Sequence, residues 1–263
     1  MQRYQTFSVG RPMRRKQELW RYLTLEKFAW MLETSKLYHA RLDLLGDPFE
    51  GAVTKPHFER EEAKAKSGDP WAAVLRPVRR QGTDRFLEYA CCWHASSVES
   101  AAMWKLYASE NAGVAIVSSP ERLVEAVDLT PFAGTLGPVE YLDFDNDEMV
   151  IHRQAPPRPP LKAIQGFTKR KSFEHEQEVR GMIDGRGLVL QVLTKMNRLD
   201  PSELKEKMPP GVAVNIDLGV VVGAIYISPL AQSCFRQVVE MMAERCGLKE
   251  RVRASTLNGE PLY

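Results

Sequence analysis

The sequence predicts an α+β fold with a mixed, largely antiparallel sheet core and interspersed helices. Short apolar or alternating segments, typical of strands, recur along the chain, and segments of helical periodicity lie between them. The regular strand–helix–strand spacing of a doubly wound sheet is missing. The chain has 263 residues, of which 44% are apolar, so it is long enough to bury a sizeable core.

The first half of the chain alternates between predicted strands and helices. Residues 1–18 are polar and basic and are predicted to form an N-terminal arm, followed by one α+β domain over residues 19–263. Thr24 is the expected N-cap of an amphipathic helix that runs to about Thr34. Strands are predicted at 19–23, 36–41, 88–94 and 113–118, helices at 99–107 and 120–127, a turn-rich loop at 46–51 and helix-prone sequence at 56–88.

The second half is interrupted by a proline-rich segment at 155–160. Proline removes a backbone donor and restricts the residue before it, so this segment cannot be regular structure. It is predicted to be an exposed loop within the domain, and an interdomain linker is the alternative. Gly247 is expected to end a helix that begins at Cys234. Strands are predicted at 139–144, 176–183, 212–217, 223–228 and 252–257, with helix-prone sequence at 188–207.

Composition excludes several classes of protein. The net charge of +2 gives no strong field for nucleic acid or an anionic membrane, and no apolar run reaches the roughly 20 residues of a membrane span. The N-terminus lacks a secretory signal, and the four cysteines contain no CxxC pair, which predicts reduced thiols in a cytoplasmic protein. The dinucleotide, P-loop and zincin motifs are absent.

Two carboxylates and an arginine form the most informative motif. If residues 176–183 are a strand, Glu176, Glu178 and Arg180 share one face, because strand side chains alternate. A carboxylate near the anomeric carbon of a sugar can stabilise the positive charge that develops when a C–N glycosidic bond breaks. The alternative is a solvent-exposed strand face on which the same acidic and basic side chains form an ion pair with one another.

Two further segments carry candidate ligand-binding residues. Arg21 lies between aromatic residues on a predicted strand and is suited to a phosphate or carboxylate, although a surface arginine fits the pattern as well. His94 and Ser96 follow a buried strand and could line a pocket, whereas Ser96 or Ser97 could instead cap the next helix. The cluster of Met103, Trp104 and Tyr107 is expected in the core.

A metal site is not predicted. His39, Asp47 and Glu50 are residue types that bind divalent ions, so the site is conceivable. Acidic residues around a Gly-Asp-Pro turn are, however, more often acceptors for the backbone.

Three blocks of the chain resemble a bacterial family catalogued as domain of unknown function 2971. Residues 19–28, 36–38 and 46–51 resemble its opening. Residues 103–107 followed by 113–116 resemble its central block, and 173–180 resemble its aromatic-x-x-E-x-E-x-R block. This resemblance spans much of the chain and implies no activity by itself.

A second resemblance, at the level of the fold, is to ADP-ribosyltransferases of the R-S-E type. It implies that Arg21 holds the NAD pyrophosphate, that Ser96 or Ser97 supports the nicotinamide side, and that Glu178 stabilises the oxocarbenium-like state. Glu176 would then direct the acceptor. The middle motif of this chain reads Trp-His-Ala-Ser, where that group has Ser-Thr-Ser.

The sequence therefore yields one leading hypothesis and two alternatives. The first is a cytoplasmic enzyme that cleaves NAD as its substrate, a toxin or phage-defence effector with a protein or nucleic-acid target and an antitoxin or partner subunit. The second is a metal-dependent nuclease that uses Asp47, Glu176 and Glu178, and the third is a non-catalytic binding domain. In the leading hypothesis Glu178, Glu176 and Arg180 are catalytic, and the nucleotide is bound by Arg21, Tyr22, Tyr38, His94 and Ser96.

Overall fold

The computed structural model describes residues 1–6, 13–67, 85–149, 165–193 and 201–259. In these ranges it contains helices and an 11-stranded, mostly antiparallel sheet, which confirms the α+β prediction. The strands are β1 (Gln5–Thr6), β2 (Leu19–Thr24), β3 (Lys36–Arg41), β4 (Glu88–Ala95), β5 (Gly113–Ser118), β6 (Val127–Asp128), β7 (Gly134–Pro138), β8 (Glu140–Leu142), β9 (Thr168–Arg170), β10 (Glu178–Asp184), β11 (Gly211–Ile216), β12 (Ala224–Ile227) and β13 (Val252–Ala254).

The described helices lie between these strands. The α-helices are α1 (Leu25–Thr34), α2 (Lys55–Lys66), α3 (Ala101–Tyr107), α4 (Pro120–Ala126), α5 (Arg186–Leu193), α6 (Pro201–Lys207), α7 (Leu218–Val221) and α8 (Ser233–Arg245). Short 3-10 helices cover Leu42–Leu44, Arg85–Leu87, Lys171–Glu176, Lys249–Arg251 and Thr256–Asn258. Within the described ranges, no helix has the length and apolar character needed to cross a membrane.

The large sheet divides at β4. One path runs β1-β7-β10-β4-β2-β5-β12-β13, and a second branch leaves β4 through β3 to β11 and β6. The described pairings within it are antiparallel except for β1 with β7 and β12 with β13. β8 and β9 form a separate parallel pair.

Burial explains the central elements of the sheet. All six residues of β5 are buried, as a continuous apolar run predicts for a strand between two neighbours, here β2 and β12. α1 buries Phe28, Met31 and Leu32 at helical spacing in the main core. The predicted cap Thr24 has an extended backbone, but its side chain makes no capping hydrogen bond, and the helix ends at Ser35 in a left-handed conformation.

The first described residues of the predicted N-terminal arm pair with the sheet. Gln5 and Thr6 pair with β7, and the amide of Leu129 donates to the carbonyl of Gln2 at 2.9 Å. Tyr4 is buried, and its hydroxyl contacts Nε2 of His39. The ring of Tyr4 therefore packs in the core and holds the first residues of the chain against it.

Other strands differ from the prediction in their presence or their length. The strand β7 was not predicted, because two glycines and a proline hide its apolar residues. The strand predicted at 139–144 is shortened to Glu140–Leu142, and the one at 252–257 ends at Ala254. The proline-rich segment at 155–160 and much of the helix-prone sequence at 56–88 lie outside the described residues.

Candidate functional site

A cavity of about 590 Å³ lies where the sheet divides. β2 pairs with β4 at Ala95 and His94, whereas β3 pairs with β4 at Ala90 and at Tyr89. On this edge of β4, residues 91–93 pair with neither β2 nor β3. The two branches therefore separate at this point, and the space between them forms the cavity.

Most of the predicted ligand-binding and catalytic residues line this cavity. They are Arg21, Tyr22, Tyr38, His94, Glu176, Glu178 and Arg180. Ser96 is the exception. Its hydroxyl donates to the carbonyl of Val98 at 2.7 Å and accepts from the amide of Val98, so it closes a turn. The N-cap of α3 is Ser100, which accepts from the amide of Met103, and is neither Ser96 nor Ser97.

Arg21 spans the gap between the two branches. From β2, one terminal nitrogen of its guanidinium donates to Sγ of Cys91 on β4, and the other donates to the carbonyl of Tyr38 on β3 at 3.2 Å. The guanidinium carbon lies 5.7 Å from the ring centroid of Trp93. These contacts use two of the five N–H donors of an arginine, so donors remain for an anionic ligand.

Aromatic side chains form much of the remaining wall. Tyr22 meets Trp104 edge to face at 5.0 Å, and its hydroxyl accepts from the amide of Ser100 at 2.9 Å. Burial raises the pKa of Tyr22 to about 12, so its hydroxyl stays protonated. Tyr38 is partly exposed and meets Trp30 edge to face at 6.1 Å.

The predicted core cluster is only partly in the core. Met103 and Trp104 are buried as expected, but Tyr107 is 44% exposed and lines the cavity. Burial, and then the nearby charge of the Glu176 carboxylate, raise the pKa of Tyr107 above its usual value. Because Tyr107 closes a short helix, its ring reaches past the core to the site.

A buried ammonium group joins three carboxylates at one end of the cavity. Nζ of Lys169 lies 2.5 Å from Oε2 of Glu176 and 2.7 Å from Oε1 of Glu178. It also lies 3.4 Å from Oε1 of Glu50. The ring of Phe173 covers Lys169 at 4.6 Å, which shields this ion cluster from solvent.

Arg180 holds the opposite side of the ion cluster. Its guanidinium is 0% exposed, and it donates through both terminal nitrogens to Glu50, at 2.7 and 2.9 Å. Its Nε donates to Oε2 of Glu178 at 2.5 Å, and the carbonyl of Gly166 accepts a further bond. Glu178 is therefore held by Lys169 on one oxygen and by Arg180 on the other.

The structure corrects the predicted position of Glu176. Glu178 and Arg180 do share one face of β10, as alternation predicts. Glu176, however, ends a 3-10 helix, and Gln177 turns the chain with a left-handed φ of 44°. The carboxylate of Glu176 reaches the same place by a different backbone path, through its bond to Lys169.

Within the ion cluster, the carboxylates of Glu176 and Glu178 have very different pKa values. Among its described members, Glu50, Glu176 and Glu178 face two cations, Lys169 and Arg180. Burial and the neighbouring charge of Glu178 raise the pKa of Glu176 to about 7. Burial also acts to raise the pKa of Glu178, but the charges of Arg180 and Lys169 outweigh it and hold that pKa well below its usual value. One carboxylate is fixed as an anion and the other can exchange a proton near neutral pH.

His94 is a neutral group in this arrangement. It lies opposite Glu178 across the β4–β10 pair, and its Nδ1 lies 2.6 Å from the carbonyl of Glu176. Burial lowers its pKa, and the carbonyl requires a proton on Nδ1. Its Nε2 is then an acceptor, so His94 orients polar groups and carries no charge at pH 7.

Sequence reasoning missed several members of the site. The sequence indicates Glu50 only as a conceivable metal ligand, and Lys169 lies in a run of basic residues that gives no sign of burial. Tyr141 was assigned only to a strand, yet its hydroxyl accepts from the amide of Glu178 at 2.8 Å. The available signal was the position of Lys169 directly after the buried Phe167 and Thr168, where an exposed lysine is not expected.

The residues considered for a metal site have separate partners. His39 is buried against Tyr4, and burial lowers its pKa to about 3. Asp47 accepts two bonds from Arg170 and one from the amide of Phe49, the backbone role that its turn predicted. In the described part of the chain, no group of three histidine, cysteine or acidic residues is arranged to hold a metal ion.

Chemically, the cavity combines an arginine with free donors, aromatic walls and a fixed carboxylate beside a titrating one. Such a set can bind an anionic aromatic ligand and stabilise positive charge on it. No protein-family model, curated protein or solved structure matches this chain.

Proposed function

We propose that this protein cleaves the bond between nicotinamide and ribose in NAD, as an ADP-ribosyltransferase or an NAD glycohydrolase. The observation that supports it most is the convergence of Arg21 and Glu178 on one aromatic cavity, from strands far apart in sequence. The proposal includes membership of the domain-of-unknown-function 2971 family and a cytoplasmic role as a toxin or phage-defence effector.

Glu178 provides electrostatic stabilisation in this mechanism. When the C–N bond breaks, its electron pair leaves with nicotinamide and the anomeric carbon of ribose becomes positively charged. A carboxylate that is already ionised and held on both oxygens needs no rearrangement to stabilise that charge. Lys169 and Arg180 act as positioning residues, because they orient Glu178 and keep it deprotonated.

Glu176 is suited to proton transfer in the second step. The attacking group is a water molecule or an acceptor hydroxyl, and it must lose a proton as its oxygen bonds to the anomeric carbon. A carboxylate with a pKa of about 7 can take that proton at neutral pH and return it to solvent. Tyr107 lines the same cavity and is partly exposed, so this side of the cavity gives the proton a route to solvent.

The basic and aromatic wall is suited to the rest of the dinucleotide. Arg21 retains donors for the pyrophosphate, and the exposed Lys27 lines the same cavity. Trp93 and Tyr22 offer ring surfaces for nicotinamide or adenine. Binding energy along this wall would hold the ribose beside Glu178.

The nuclease alternative is less well supported. The ammonium of Lys169 occupies the space between Glu176 and Glu178 where a divalent ion would have to lie. Asp47, the third acid of that hypothesis, is paired with Arg170. A metal would therefore have to displace a buried lysine and break an arginine pair.

The test is nicotinamide release by the wild-type protein, Glu178→Gln and a matched control, Glu174→Gln. Glu174 lies two residues before Glu176 in the same 3-10 helix and is exposed. We expect Glu178→Gln to lower turnover by about 10²–10³-fold, since one transition-state stabiliser is lost, and Glu174→Gln to leave it unchanged.

Thermal melting with millimolar NAD separates binding from chemistry. The wild type and Glu178→Gln should both melt at a higher temperature with NAD, because a ligand that binds only the folded state stabilises it. Full turnover in Glu178→Gln would remove this residue from the mechanism. A wild-type protein that neither releases nicotinamide nor shifts in melting temperature would favour the non-catalytic alternative.

A further inference from the structure

A second cavity, of about 640 Å³, adjoins the first. The ion pair of Asp47 and Arg170 separates the two, since Asp47 lines the first cavity and Arg170 lines the second. Arg170 is held in this wall by its two bonds to Asp47 and by the ring of Phe49, whose centroid lies 4.4 Å away. The proposed cleavage of NAD makes no use of the second cavity.

Four basic side chains line the second cavity. They are Lys55, Arg85, Arg170 and Lys171. The Nε of Arg85 is buried and finds no hydrogen-bond partner in the described part of the chain. Native structures rarely retain a buried donor without a partner. An anionic ligand in the cavity would give this donor an acceptor.

The side chain of Lys55, at the start of α2, also lines the second cavity. This helix of 12 residues starts at Lys55, has no acidic residue in its first turn and makes no side-chain cap at Thr54. A lysine at the positive end of a helix dipole is unfavourable unless a negative group compensates for it. A bound phosphate would supply that charge.

Aromatic rings supply the apolar part of the second cavity. Phe49 and Phe58 both line it, and they are 42% and 41% exposed. Phe144 supports Phe49 edge to face at 5.7 Å. Two exposed phenylalanines beside basic groups form a surface on which a planar base can stack.

Acidic residues restrict which anion fits. Glu61, Asp143 and Asp145 also line the cavity, so a ligand that is negatively charged throughout would be repelled. A nucleobase with an exocyclic amino group can donate to such carboxylates while its phosphate faces the arginine and lysines. A ligand that carries a phosphate, a planar ring and an amino group on that ring is a nucleotide.

We propose that the second cavity binds a nucleotide, with its phosphate at Arg85 and Lys171 and its base on Phe49 and Phe58. This site goes beyond the proposed cleavage of NAD and does not depend on it. The nucleotide is either free or the terminal residue of a single-stranded nucleic acid, since both present the same phosphate and base.

Binding of two probes, AMP and a short single-stranded RNA with a terminal phosphate, tests this proposal by calorimetry. Glu178→Gln serves as the background, so that turnover of any nucleotide in the first cavity does not interfere. Arg85→Gln, Lys171→Gln and Phe58→Ala are added singly, with Arg245→Gln as the matched arginine control, because Arg245 lies exposed on α8. Arg21→Gln reports binding in the first cavity, and thermal melting confirms that each variant folds.

We expect at least one probe to bind, with affinity about tenfold or more weaker in Arg85→Gln and Phe58→Ala, because each loses a buried or stacked contact. Lys171→Gln should weaken binding and reduce its salt dependence, while Arg245→Gln should not change it. Any loss of binding in Arg21→Gln belongs to a separate site in the first cavity and should not alter the effects of Arg85→Gln and Phe58→Ala. Binding of AMP alone identifies a free nucleotide, and tighter binding of RNA identifies a nucleic-acid end. Absence of binding, or binding that only Arg21→Gln weakens, would overturn the proposal.

Discussion

Replacing Lys169 by methionine perturbs the site most selectively. Methionine keeps much of the apolar stem of lysine and removes the ammonium group. The variant therefore loses the contacts to Glu176 and Glu178, at 2.5 and 2.7 Å, and the weaker one to Glu50 at 3.4 Å. Three buried carboxylates then face the guanidinium of Arg180 alone.

The loss of stability follows from this charge balance. Breaking a buried ion pair by removing one partner costs about 3–5 kcal/mol, because the remaining charge is left without compensation. Lys169 is only 6% exposed, so solvent screening reduces this figure little. Protonation offers the folded variant partial relief, since each added proton removes one of the uncompensated charges.

The pH dependence has a definite sign. The pKa of Glu176 is already raised to about 7 in the wild type, against about 4.3 in an unfolded chain, and loss of the lysine raises it further. A raised carboxylate pKa contributes stability below the unfolded pKa, and this stability is lost as pH rises through the folded pKa. Lys169→Met should therefore be more costly at about pH 8 than at about pH 6.

Urea denaturation followed by circular dichroism measures both effects. Lys171→Met is the matched control, because Lys171 is largely exposed and pairs with Asp147 at the surface. The double variant Lys169→Met/Glu176→Gln should recover part of the loss, since one carboxylate charge is removed with the lysine. A cost below about 1 kcal/mol, equal at both pH values, would refute the buried ion cluster and indicate a solvated pair.

Three other changes test separate parts of the account. Gly181→Ala should destabilise the fold by about 1–3 kcal/mol in urea denaturation, because the new Cβ would overlap the hydroxyl of the buried Tyr4; unchanged stability would contradict that packing. Glu99→Ala should lower the free energy of unfolding by about 3 kcal/mol in the same assay. The reason is that this buried carboxylate accepts four hydrogen bonds, three of them from Ser255 and Thr256. A loss of less than about 0.5 kcal/mol would contradict this role of Glu99. Glu176→Gln should remove the rising limb near pH 7 from the pH–rate profile for nicotinamide release, because the carboxylate with a pKa of about 7 is lost. An unchanged limb would separate Glu176 from the rate.

Local periodicity was sufficient to predict most of the sheet. β3, β4 and β5 begin where apolar alternation or a continuous apolar run begins, and β5 matches its predicted bounds. The sequence does not indicate β7, because Gly134, Gly137 and Pro138 leave too few apolar residues to show the alternation of a strand. The sequence does not indicate the division of the sheet at β4 either, because the pairing partners of a strand depend on contacts between distant segments.

The candidate site was predictable only where it follows local rules. Glu178 and Arg180 are two apart on one strand, so alternation placed them together. Glu176 was misplaced because Gln177 adopts a left-handed φ that favours glycine and that its sequence does not signal. The bond from Arg180 to Glu50 joins residues 130 positions apart, and that separation is beyond any local pattern.

A crystal structure of Glu178→Gln with bound NAD tests the central claim most directly. We expect the nicotinamide ribose to lie against the carboxamide at position 178 and the pyrophosphate at Arg21, within the cavity where β2 and β3 separate. Electron density for NAD at any other place, including the second cavity beside Arg85, would contradict the proposed mechanism, as would an empty cavity at saturating NAD.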